Sequence, residues 1–100
     1  MHTDEAEFAR FEADLRQQGY DTVLRRPWDP LTVVDTHSHP FDAKARVVQG
    51  EMWLTQGDTT RHVGIGEGFE LAAGVPHSER YGADGATYWV GRRNLPSTAT

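Results

Sequence analysis

The chain carries five histidines and no cysteine. Disulfides, thiolate metal ligands and a Cys nucleophile are therefore excluded, and chemistry falls to imidazoles, carboxylates and phenols. Two of the histidines stand one residue apart in the stretch VVDTHSHPF, as His37 and His39. In an extended segment such a pair shares one face, roughly 7 Å apart along the backbone at ~3.3 Å per residue. Imidazoles so placed can converge on a metal ion ~2.0–2.1 Å from each nitrogen. Pro40 favours extended backbone at His39, which supports the pairing. A third ligand must come from another strand, and His62 and His77 are the candidates. His77 follows Gly74-Val75-Pro76 at a strand entry. His62 adjoins Val63, so an inward Val63 turns His62 outward into solvent. His2 is terminal and takes no role.

Other residues could serve such a site. Asp35 is two residues before His37, and an unbroken strand puts its carboxylate on the same face, within reach of an imidazole N–H. The alternative is a solvated strand-end carboxylate. Tyr81 and Trp53 can line the interior or simply fill a core. No competing catalytic pattern occurs: there is no Gly-x-Ser-x-Gly, no phosphate-binding glycine loop and no His-Glu-x-x-His.

The elements that must position these residues follow from pattern. With 100 residues, the chain accommodates one modest core. Residues 1–20 read as a helix packed outside the body, capped by Thr3 or Asp4, with Phe8, Phe11 and Leu15 on one face and Gly19 as its stop. Residues 21–94 alternate short β-type runs with the turn signals PWDP, PFD, QGDT, GEG, GVP and GADG, which predicts an all-β barrel or sandwich. Residues 95–100 read as a loose tail. On the second strand, the inward set is Val33, Asp35, His37 and His39, or its complement.

A net charge of −5 argues against nucleic-acid or anionic-membrane partners. No apolar run reaches the ~20 residues that span a bilayer, and the acidic start is unlike a signal peptide, so the expected location is cytoplasmic.

In order and spacing, HSHPFDAKARVVQGEMWL followed by GIGEGFELAAGVPHSERY resembles the two motifs of the cupin superfamily. The first is His-x-His, a Glu three or four residues later and a Gly six residues further, matched by His37, His39 and Gly50. The second is matched by Gly66, Gly74 and His77. The resemblance covers roughly residues 22–92. It implies a small double-stranded β-helix, or jelly-roll, barrel with a short N-terminal helix, and the ligand set His37, His39 and His77. The departures are specific. Ala43, or Lys44 in a longer loop, stands where the family has its Glu ligand, and Asp42 is out of register. Ala72 replaces a Pro, and Tyr81 replaces a frequent Asn.

The resemblance therefore implies three histidines without a carboxylate, leaving a divalent ion of Fe, Zn, Mn or Ni its full charge and open positions. Such a centre attracts a small polar or anionic ligand, and similar ligand sets occur in cupin-like thiol and diketone dioxygenases. The expectation is a metalloenzyme with dioxygenase-like chemistry, lyase or isomerase chemistry being next, in which Tyr81 or Asp35 handles protons. The rival expectations are a non-catalytic ligand- or metal-sensing module and an empty barrel with structural histidines. Apolar strand faces and the family habit imply a homodimer.

Overall fold

A computed structural model describes residues 4–94. Helix α1 (Asp4–Gln17) precedes six strands: β1 (Thr22–Trp28), β2 (Val33–His37), β3 (Phe41–Gln56), β4 (Thr59–Val63), β5 (Gly68–Leu71) and β6 (His77–Asn94). The acidic first turn of α1 suits the helix dipole. The helix closes in a Schellman turn: Gly19 has φ of +95°, and the Tyr20 N–H bonds back to the Leu15 carbonyl at 3.0 Å. The proposed cap Thr3, His2 and the tail 95–100 lie outside the described residues.

The two long strands, β3 and β6, pair antiparallel along most of their length and form the spine. The turn signal GADG predicts a break inside β6, and Gly50 falls in the middle of β3, yet both strands run through as single elements. The reason is bending rather than termination. At Gly50 and Gly85 the backbone has φ of +73° and +72°, and the register jumps from Gly50–Ala86 to Met52–Tyr81, with residues 82–85 bulging out of β6. Each long strand thus serves two sheets. In one sheet, β1 flanks the C-terminal half of β6 and β5 flanks the N-terminal half of β3. In the other, β2 flanks the N-terminal half of β6 and β4 the C-terminal half of β3. The result is a jelly-roll barrel with the helix outside.

Alternation fills the interior. Val47, Met52, Leu54, Val63 and Tyr81 are almost fully buried between the sheets, with Phe69, Leu71, Tyr88 and Val90. On the opposite face of β6, Trp89 packs against Phe8, Phe11, Leu15 and Tyr20, which docks α1. Lys44 and Arg46, out of phase with Ala43 and Ala45, face this helix: Lys44 donates to the Gln18 side chain at 2.9 Å, and Arg46 lies over the Phe11 ring.

Candidate metal centre

His37 and His77 are direct cross-strand partners where β2 meets β6, the closest side-chain relation a sheet provides. Their rings lie 4.4 Å apart, and the His39 ring is 5.1 Å from His37 and 4.7 Å from His77. One ring nitrogen from each of the three falls within 4.8 Å of the others, which is the spacing a shared ion requires. His39 lies just past the end of β2 and stacks on Phe41 at 4.6 Å.

Backbone carbonyls set the tautomers. His37 Nδ1 is 2.7 Å from the Asp35 carbonyl oxygen, and His77 Nδ1 is 3.0 Å from that of Val75. A carbonyl can only accept, so each Nδ1 carries a proton, and in the neutral imidazole each Nε2 then presents a lone pair. His77 Nε2 is buried and has no hydrogen-bond partner. Burial first, then the neighbouring His77 and His37 and the Arg92 guanidinium, lower the pKa of His39 to about 4. His39 is therefore neutral at pH 7 and free to coordinate. A buried Nε2 without a hydrogen-bond partner, beside two further imidazoles, fits a divalent cation well.

The approach of the strands is locked by the loop that delivers His77. The Gly74 N–H donates to the His39 carbonyl at 2.8 Å, and the Ala73 N–H to Asp42 Oδ1 at 2.8 Å. Asp42 Oδ2 in turn accepts from Arg93 at 2.9 Å. Asp42, out of register as a ligand, thus ties the two histidine-bearing segments together.

Other sequence candidates fall elsewhere. A bulge separates Val34 from His37: three steps on β2, from Val34 to His37, oppose two on β6, from Glu79 to His77. The bulge breaks the expected parity. Val34 and His37 turn inward, and the exposed Asp35 side chain lies in a shallow depression of the outer face with Trp53 and Arg80. It is the Asp35 carbonyl, not its carboxylate, that meets an imidazole. Tyr81 is buried inside the barrel, stacked on Trp28 at 4.8 Å, and its hydroxyl donates to Glu79 Oε1. Burial first, then Tyr88 and Glu79, raise the pKa of that phenol far above its usual value, so it stays a donor. His62 points outward beside the buried Val63, as its position predicts, and bonds Glu51 at 2.7 Å.

Two residues of the site were missed. Glu79 is 6% exposed, and its Oε2 lies 3.7 Å from His37 Nε2 and 3.6 Å from His77 Nε2. Arg92 points inward on β6 and lies over the Phe41 ring, against which His39 stacks. Ala43 does face the interior, as the missing ligand position should. The buried carboxylate that lies beside the histidines is Glu79 on β6, next to His37 and His77.

The chain's shape has close counterparts among solved structures. A Rhizobium leguminosarum protein of unknown function superposes with a TM-score of 0.70 at 19% identity, over 74% of this chain and 70% of that one. Oxalate decarboxylase from Bacillus subtilis gives 0.68 at 20% identity over 82% of this chain. The fold is that of the cupin superfamily. A structure from work on the DMSP lyases RdDddP and RnDddQII gives 0.67 at 20% identity, over 73% of this chain and 38% of that one. The chain described here spans only 23% of the oxalate decarboxylase. No family model matches the sequence, and comparison with curated proteins gives no match. Among the described residues, no helix is long and apolar enough to cross a membrane.

Proposed function

We propose that this chain is a small metal-dependent enzyme that holds one divalent ion through His37, His39 and His77 and cleaves a small anionic substrate by lyase-type chemistry. The observation that carries the proposal is the buried, partnerless Nε2 of His77 facing two other imidazoles. When bound, the ion supplies Lewis acidity toward an oxygen of the substrate. The chain's own residues do the rest. The inward Arg92 places a positive charge beside His39 and Phe41, which suits a carboxylate-bearing molecule. The apolar wall of Trp28, Tyr81 and Met52 excludes water from the inner end of the barrel.

Lyase chemistry ranks above dioxygen chemistry because of Glu79. The dioxygenase expectation rested on three histidines without a carboxylate, and a buried carboxylate lies beside two of them. The fold neighbours that carry functional names are a decarboxylase, with Mn(II) centres in the Bacillus subtilis enzyme, and structures from work on DMSP lyases. Dioxygenase-like chemistry is the second reading, kept by the three-histidine core itself. A homodimer and a cytoplasmic location complete the proposal, and sedimentation velocity checks the former.

The test is metal analysis of tag-free protein, followed by assay. About one equivalent is expected in the wild type and in His62→Ala, with sharp loss in His37→Ala, His39→Ala and His77→Ala. Equal loss in His62→Ala overturns the ligand set. Mn, Fe, Zn and Ni forms are then offered small carboxylates with and without dioxygen. Turnover that requires dioxygen selects the second reading. Silence in every form, with metal bound, selects a sensing module.

A further inference from the structure

We infer that Glu79 completes the metal centre as a fourth ligand through Oε2, and that Tyr81 is the positioning residue that holds Oε1 and aims the carboxylate. This rests on the three-histidine reading and adds to it a carboxylate delivered from β6, the strand that also carries His77.

The geometry around His37, His77 and Glu79 suits a shared cation. Because both Nδ1 atoms donate to carbonyls, His37 Nε2 and His77 Nε2 are acceptors in the neutral imidazoles that would bind a metal. Glu79 Oε2, also an acceptor, faces them at 3.7 and 3.6 Å. These separations exceed hydrogen-bond reach, so no proton shared along them satisfies the three atoms. They suit two ligands that meet at one ion between them, each ~2.0–2.2 Å from it. Glu79 is only 6% exposed, and a cation beside it would compensate the burial of its carboxylate.

The strand explains the delivery. His77, Glu79 and Tyr81 alternate inward along β6, each less than a tenth exposed. Tyr81 lies one position deeper than Glu79, fixed by its stack on Trp28, and its hydroxyl takes Oε1. That bond leaves Oε2 turned toward the histidines. With three imidazoles and one carboxylate, a divalent ion keeps one net positive charge rather than two.

Titration calorimetry with Mn2+ and Zn2+, and visible absorption with Co2+, test this on the metal-stripped full chain. Expected are one equivalent in the wild type, at least about tenfold weaker binding with an altered Co2+ spectrum in Glu79→Gln, and about ten- to a hundredfold weaker binding in Tyr81→Phe. Ser78→Ala, on the same strand but the outer face, should bind as the wild type does. Wild-type affinity and spectrum in both Glu79→Gln and Tyr81→Phe overturn the inference while leaving the three-histidine site standing. No binding by the wild type overturns both. If Glu79→Gln does not fold, Tyr81→Phe decides: an unchanged spectrum overturns the inference, and a shifted one supports it.

Discussion

Asp42 illustrates how a carboxylate beside a ligand motif can serve the site without touching it. Its two oxygens accept from the Ala73 N–H and the Arg93 guanidinium, and these bonds, the backbone one first, hold its pKa below the ordinary 3.8. A carboxylate depressed in the folded state binds fewer protons than its unfolded counterpart. Its stabilisation is therefore fully present above the unfolded value and lost as pH falls through the folded one. Asp42→Asn should lower the melting midpoint at pH 7, and the gap to wild type should narrow as melts are repeated below about pH 4. A gap unchanged in acid would mean that the loop is tied by something else. Arg92 offers a second check at this scale. Arg92→Gln should weaken inhibition by small dicarboxylates while leaving metal stoichiometry at its wild-type value. The residues also show what was legible. Spacing paired His37 with His39, the cupin resemblance implied His77 as the third, and the fold brings the three together. Glu79 was within reach of the same period-two rule, since HSERY puts His77, Glu79 and Tyr81 on one strand face. Nothing in HSERY itself marks Glu79 as a neighbour of the histidines, because the cupin pattern has its carboxylate where Ala43 stands.

Among the elements, the decisive features are bends that keep pairing alive. Glycine signals mark both a strand's end and a strand's corner, and only the partner's register tells them apart. That is why the sequence pattern reads only short runs where the fold has two long strands and four short ones. The bulge in β2 is illegible for the same reason: one extra residue against β6 reverses the face of Asp35 without any marker in VVDTH. The corners make a sharp contrast with ordinary turns. A Cβ at Gly50 would stand 2.1 Å from the Gly85 carbonyl oxygen, whereas one at Gly57 meets nothing within 4 Å, although both have positive φ. Gly57→Ala should cost about 1 kcal/mol, from backbone strain alone. Gly50→Ala adds a clash with backbone that cannot step aside, and should cost roughly 3 kcal/mol or more. Urea unfolding of the two variants measures the difference, and equal losses would rule out close packing at the corner.

Across the whole molecule, stability and ligation reside in two separate places. The helix is held by one apolar cluster on the outer face of β6, while the barrel interior forms another. The contact between helix and strand is tight: the Leu15 Cδ1 atom would lie 2.5 Å from a Cβ at Gly91, so a side chain there would displace the end of Leu15. Leu15 is 2% exposed, and Leu15→Ala should cost roughly 2–5 kcal/mol by removing buried methyl groups. The histidine site lies at the junction of β2 and β6, and a bound ion stabilises the fold by mass action, about 2.7 kcal/mol at a hundredfold excess over the dissociation constant. The two contributions should separate cleanly in denaturant. Leu15→Ala lowers the metal-free stability yet keeps the full increment on adding metal. His39→Ala, a half-buried position next to Phe41, keeps most of the metal-free stability and loses the increment. An increment that shrinks in Leu15→Ala would show instead that the helix props the metal site through β6, and that the outer cluster and the interior act as one unit.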